Sequence, residues 1–519
     1  LKEYSLPGPI AGLDAVTPPA ALEALAAVFS VNVFTGERGV QARPGWSTWA
    51  TNVGVVADEV RTIIPFHGST AGQNKLFATA IDGIYDVTAG GALPSRVYAF
   101  ASAVNEAGWG TNLGFVNAAG THFVLYTDEV NGYLIYDEGT GLWAAGSTTG
   151  IAPGDAVFVA RHKRRVWLVK RNSTVAYYLG VDAIAGAGTP FDFGPDFPNG
   201  GRLVGLWTWT RDGGVGGMDD LLVAISSSGD VVIYQGDDPS IATSWRQLGN
   251  WNIGGVPAGR RLAFNYGGEL LILGRQGLLP ASKLVVGQLI APQVYETLKV
   301  RPLYVEYMNL SDKLGWSLAH HPTTNTLIVN TPESDTGQLL MSYVNRSWTR
   351  WESLDIVSMA VWNGQLYFGD RAGRVCISEG FVDNVGLAGD TTNSKTVDCR
   401  VLSGFSNLGS NGKKLVTLAA PSFITRGVTP AYEAFIRFDF DIREPTGAVT
   451  ADPPSTDVLI WDTGSWDVNL WGSGQGVGYR RTFGTRGQGT FIAAGVHFQA
   501  QDYCVLTHMD IFYEEGGIL

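Results

Sequence analysis

A β-meander recurs through the middle of this chain, and that recurrence restricts the available folds more than any other feature. In each copy, apolar runs of about five residues are joined by tight polar or Gly-containing turns. The clearest copies are DAVFVARHKRRVWLVKRNSTVAYYLG (Asp155 to Gly180), RLAFNYGGELLILGRQGLLPAS (Arg261 to Ser282) and VSMAVWNGQLYFGDRAGRVCIS (Val357 to Ser378). Gly267-Gly268 and Asn363-Gly364 supply the positive φ angles that two-residue hairpin turns demand. Looser copies start at Lys75, Thr121, Asp219 and Leu318. Seven starts from 75 to 357 have a mean spacing of about 47 residues, within the ~40–50 of propeller blades. One blade cannot bury both of its faces, so the units must stack radially. The expected fold class is all-β: a β-propeller of about six or seven irregular blades with inserted segments, plus a C-terminal β-sandwich-like domain. A pair of β-sandwiches is the alternative.

Composition supports a turn-rich β protein. Gly accounts for 67 of 519 residues, aromatics for 11% and charged residues for 16%. An apolar fraction of 45% excludes a disordered chain. A net charge of −12 argues against a protein that binds nucleic acid by neutralising phosphates. Cys376, Cys399 and Cys504 are odd in number and widely spaced, with no CxxC. That pattern suits buried thiols made in a reducing cytoplasm better than a disulfide framework or a zinc site. The longest apolar stretch, Leu22 to Phe34, contains Glu23 and lacks a basic flank, so no membrane span or signal peptide is expected.

Three regions follow from these patterns. Residues 1–70 read as an N-terminal arm, a short helix and leading strands. Residues 71–389 read as the propeller, with an insertion around 283–315 that could form a short helix and reach a neighbour. Residues 390–519 read as a separate C-terminal β-domain, because the strands lengthen there and the join GLAGDTTNSK is polar. Trp245, Trp251, Trp348 and Trp351 close meanders and are expected to wedge between blades rather than stack on sugars.

Catalytic signatures are missing. There is no HExxH, no GxxxxGK[ST] and no EF-hand loop. GSTAG (Gly68 to Gly72) has Thr where a nucleophile elbow needs Ser, and WGSGQGVGYRR from Trp471 reads as a loop. His320 and His321 are adjacent, so on a strand they face opposite ways and cannot share a metal; a rim position is expected. Asp439 and Asp441 could pair on one strand face, but Arg437 and Arg443 in the same series favour a charge-balanced solvent face. No enzyme activity, cofactor or metal is expected. The conspicuous charge cluster is Arg161, Lys163, Arg164 and Arg165 around His162, at a hairpin tip. It is either a solvated turn or a contact for an acidic partner or a DNA backbone, and the four cations are the candidate partner-contact residues.

Both ends of the chain carry a resemblance. LPGPIAGLDAVTPPAAL (Leu6 to Leu22), NVFTGERGVQARPGW (Asn32 to Trp46), SNLGSNGKKL (Ser406 to Leu415) and IFYEEGGIL (Ile511 to Leu519) resemble the tail nozzle, or tail tube, proteins of short-tailed bacteriophages. The resemblance implies a structural virion protein made in the host cytoplasm and resident in the tail. It implies a homohexameric ring beneath the portal and adaptor, with fibres or spikes at its side, that retains and then conducts duplex DNA without binding it tightly. The competing reading is a carbohydrate-binding or glycan-degrading propeller, suggested by 16 Trp.

Overall fold

The computed structural model describes residues 1–54, 58–212, 218–287, 294–387, 393–426, 430–445, 449 and 477–516. The fold is all-β, a propeller joined to a β-sandwich. Seven blades follow one another among the described residues, with inner strands Thr62–Phe66, Gly110–Val116, Ala156–His162, Leu203–Asp212, Ala263–Tyr266, Ser317–His321 and Ser358–Trp362. Each expected meander falls in its own blade. The first blade, however, starts at Thr62 and not at 71, because the strand containing Pro65 lacks the meander's rhythm. Neighbouring inner strands contact one another around the axis, and the seventh packs back against the first.

Ring closure comes from the N-terminal region. Blade 7 takes three strands from Ser358–Trp362, Gln365–Gly369 and Val375–Ile377, and its outermost strand is Trp46–Ala50. That strand places its backbone donors and acceptors more than 300 residues from their partners in sequence. The hairpin turns are as the sequence demands: Gly267-Gly268 have φ of 57° and 83°, and Asn363-Gly364 have φ of 48° and 78°.

Blade 5 has three strands, Ala263–Tyr266, Glu269–Gly274 and Gly277–Pro280. The insertion that follows contains helix α1 (Ala281–Val285) and helix α2 (Arg301–Leu310). Tyr304, Tyr307 and Met308 of α2 are buried against Leu271 and Leu278 of blade 5 and Leu327 and Leu339 of blade 6. The described part of the insertion therefore fills the interblade core rather than reaching outward. Its buried face of two Tyr and one Met is too apolar to be left in water.

The sandwich is built from both ends of the chain, which corrects the division at 70 and 390. Lys2–Pro7 pairs with Cys504–Glu515, which also pairs with Lys414–Thr425 and, at Val505 and Leu506, with Gly39–Ala42. On the other sheet Ala26–Val31 pairs with Ser394–Ser403, which pairs with Ile492–Ala500. The core between the sheets unites Leu6, Val33 and Val40 with Val401, Val416, Phe498 and Ile511. The expected N-terminal helix is a single 3-10 turn, Pro19–Ala21, because the run after it, AAVFSV, is rich in strand formers. Val31 meets Arg350 of blade 6, and Val382–Leu387 lies between Trp46–Ala50 and Ser394–Ser403. The sandwich is thus hydrogen-bonded to the outer edges of blades 6 and 7. Cys376, Cys399 and Cys504 are buried free thiols.

The meander-closing tryptophans pack between blades. Trp245 stacks on Trp167 and Tyr234 between blades 3 and 4, with centroids 6.0 and 5.3 Å apart. Trp348 and Trp351 are buried on either side of blade 6, their indole N–H groups donating to Glu296 O and Val33 O at 2.9 and 3.0 Å. Among the described residues no helix is long and apolar enough to cross a membrane.

Candidate functional site: the axial channel

The inner strands surround a channel that its own side chains divide in two. At the end where inner strands begin, an upper chamber of about 940 Å³ is lined by loops ahead of inner strands, including Glu59, Glu106 and Asp312, and by hairpin turns, including Arg371 of blade 7. A lower chamber of about 1130 Å³ is lined by strand residues such as Asn112, Trp207 and Asn265. Between them Trp109, Arg260, Arg261, Leu314 and Trp316 leave a gap of about 20 Å³, room for about one water.

The stopper comes from the loop ahead of blade 5. Gly259 turns the chain with φ of 103°, which strains any residue with a Cβ. The two arginines that follow are committed to opposite sides. Arg260 is ion-paired with Glu129 of blade 2, its Nη2 3.2 Å from Oε2, and its Nη1 donates to Val204 O at 2.6 Å. Arg261 reaches the facing blades: Nε donates to Gly110 O at 2.9 Å, and Nη2 donates to Arg61 O and Thr62 Oγ1, both at 2.7 Å. Its guanidinium carbon lies 5.7 Å from the Trp109 ring centroid. Burial lowers the pKa of both, that of Arg261 to about 10. Nearby, Arg61 donates to Asn105 O and Ala107 O at 2.9 and 2.8 Å and is ion-paired with Asp58 at 3.1 Å. Glu59 beside it has its pKa raised, chiefly by burial.

The basic hairpin sits at the mouth of the lower chamber. Lys163 and Arg164 form the turn with φ of 46° and 62°, the geometry usually given to Asn-Gly. Most of its charge is neutralised within the chain. Lys163 lies 3.3 and 3.4 Å from Asp219 and Asp237, Arg164 pairs with Asp182, and Arg165 donates to Asp238 at 2.7 Å. Burial opposes the charge on Lys163, but its two aspartates outweigh it and hold the pKa up. Arg161 is exposed at the chamber rim, with no ion pair among the described residues. The acidic groups that answer this cluster are therefore the protein's own, for three of its four cations.

Other candidates are structural. His321 is buried, not at a rim; its ring nitrogens contact Ser378 Oγ at 2.9 Å and Thr323 Oγ1 at 3.1 Å, and burial lowers its pKa to about 4. Asp439 and Asp441 lie just past the end of strand Ala431–Phe438, so they share no strand face. Asp439 accepts from Thr490 N and Phe491 N at 2.9 and 3.1 Å, while Asp441 holds Arg443 at 2.7 Å. The glycine-rich run from Trp471 lies outside the described residues up to 476. No cluster of three or more His, Cys, Asp or Glu is placed to hold a metal among the described residues. Sequence reasoning passed over Arg260 and Arg261. Their one signal is a tandem of cations directly before an inner strand, a place where charge is costly.

No family model and no curated protein matches this sequence. Among solved structures, the chain is similar to the extracellular domains of two putative hybrid two-component systems from B. thetaiotaomicron. One is 12% identical with a TM-score of 0.41, over 64% of this chain and 40% of that one. The other is 13% identical with a TM-score of 0.38, over 64% and 41%. A computationally designed protein, Ika8, is 9% identical with a TM-score of 0.34, over 64% of this chain and 99% of its own. The chain thus matches about two-fifths of the length of the two sensor domains.

Proposed function

We propose that this chain is a structural subunit of a bacteriophage tail, the nozzle of a short-tailed phage. In this reading six copies form a ring beneath the portal and adaptor that retains the genome and then conducts it. One observation carries the reading. The stretches that resemble nozzle proteins lie at opposite ends of the sequence, yet Leu6, Val33, Val416 and Ile511, one from or beside each stretch, share a single sandwich core. A resemblance arising by chance would have no reason to converge on one body. The division of the axial channel bears on where a conduit would run in this reading. Trp109, Arg260, Arg261, Leu314 and Trp316 leave room there for about one water, far too little for duplex DNA, so the conduit in this reading runs between subunits and not through a blade ring.

Electron microscopy of the purified protein tests the proposal, together with antibody labelling of virions. Rings or short tubes, and label at the tail tip, are the expected results. A monomer at every concentration and unlabelled tails would overturn it.

A further inference from the structure

We propose that residues 439–445 form a latch whose Glu444 plugs a carboxylate site built by Arg350 and Arg400, and that an acidic peptide segment of a partner protein is the ligand this site takes when the latch opens. The site lies on the seam between blade 6 and the sandwich. Arg350 is on the outer strand of blade 6, Trp348–Trp351, and Arg400 is on the sandwich strand Ser394–Ser403. Val31, which is buried, stands in register with both, so the two arginines leave the sheet on one face, on either side of it. One carboxylate reaches both: Glu444 Oε1 lies 3.0 Å from Arg350 Nη2, and its Oε2 pairs with Arg400 Nη1. Glu352 bridges the same two guanidiniums from the blade side, 2.6 Å from Arg350. Burial opposes the charge on Arg350, but Glu352, Tyr307 and Glu444 outweigh it and hold its pKa up.

The two glutamates are not held alike. Glu352 follows its strand directly, and its N–H donates to Asn32 Oδ1 at 2.7 Å. Glu444 lies at the far end of a segment that leaves the sheet after Ala431–Phe438 and has no strand pairing from 441 to 445. Ile442 is 52% exposed and the Arg443 side chain 83%, so the middle of the latch stands in solvent. Its root is strained: Asp439 and Phe440 have φ of 48° and 71°, and for a residue as bulky as Phe the left-handed region is an outlier. Phe405 and Phe491 keep Phe440 there, at centroid distances of 5.2 and 4.9 Å. Exposed backbone, few apolar contacts and a strained root place such a segment at the low-stability end of a fold. Beyond the root, the closed position rests on Arg437 Nε, which donates to Arg443 O at 3.0 Å, and on Glu444. When the latch lifts, Arg400 Nη1 loses its acceptor. Asp398 faces Nε instead, at 3.5 Å, and is engaged by His497 at 2.6 Å. A peptide-borne carboxylate, the chemistry of the present occupant, refills the gap between the two guanidiniums. Tethered to the chain, Glu444 competes at high effective concentration, which keeps the site shut to weak anions.

The test offers the latch back to the full chain in trans, as a synthetic peptide copying residues 437–445, and follows binding by saturation-transfer NMR. Glu444→Gln, whose site is no longer filled by a carboxylate in cis, should give a saturable signal at least fivefold stronger than wild type. The same peptide with Gln in place of its Glu should give none, and adding Arg400→Gln to Glu444→Gln should abolish the signal. Should Glu444→Gln fail to fold, Arg437→Gln takes its place, since it loosens the latch and leaves the site intact; its signal should exceed that of wild type. No saturable signal in the variant, an equal signal in wild type, or binding that survives the loss of the peptide's carboxylate overturns the proposal.

Discussion

Two buried histidines set the acid limit of this protein. Burial lowers the pKa of both His162 and His321 to about 4, against an ordinary value of about 6.5. Between these values the unfolded chain binds protons that the folded chain does not, so stability rises with pH through this window and is lost as pH falls. Each histidine should cost roughly 1.4 kcal/mol per pH unit below about 6.5. Urea unfolding at pH 7.5, 6 and 5 should show a steep decline, and His321→Gln should remove about half of the slope. A slope unchanged by that substitution would mean that His321 titrates normally. The sequence displayed the alternation of His320 and His321 but not this burial. Whether the inward one meets water or a neighbouring blade depends on Ser378, 57 residues away.

At the scale of elements, legibility followed sequence distance. The meanders could be read because their turns are short and need Gly, Asn or another residue tolerant of positive φ. The strand Trp46–Ala50 could not be read as the closure of blade 7, nor Lys2–Pro7 as part of a C-terminal sheet, because neither has a local partner. The channel stopper was hidden for the same reason: Arg261 acts on Arg61 and Gly110, which only the closed ring brings near. These pairings change what a cut should do. Protease cleavage between Gly386 and Lys395, the join that looks exposed from composition, should leave two fragments that co-elute in native size-exclusion chromatography. Residues 2–50 are hydrogen-bonded to strands on both sides of the cut. Separation of the fragments without denaturant would show the sandwich to be independent of the N-terminal strands. Thr48→Pro should be more damaging than the cut. It puts proline in a buried strand paired on both edges, where it removes a ladder hydrogen bond, and should unfold propeller and sandwich in one transition.

For the whole molecule, the net charge of −12 and the internal pairing of Lys163, Arg164 and Arg165 leave little basic surface for phosphate. Gel shifts with duplex DNA at physiological salt should show negligible binding. Sub-micromolar affinity abolished by Arg161→Glu would make the hairpin a DNA contact. The interlaced ends also carry a consequence in time. On a ribosome adding about 5–20 residues per second, the strands within residues 2–50 emerge tens of seconds before residues 394–515, with which they pair. Throughout that interval their edges are open and need shielding from one another. Any chain that terminates early has neither a finished sandwich nor, once residues 375–377 are missing, a strand for Trp46–Ala50 to close on. Fragments therefore lack a closed fold, and the weave acts as a check on chain length.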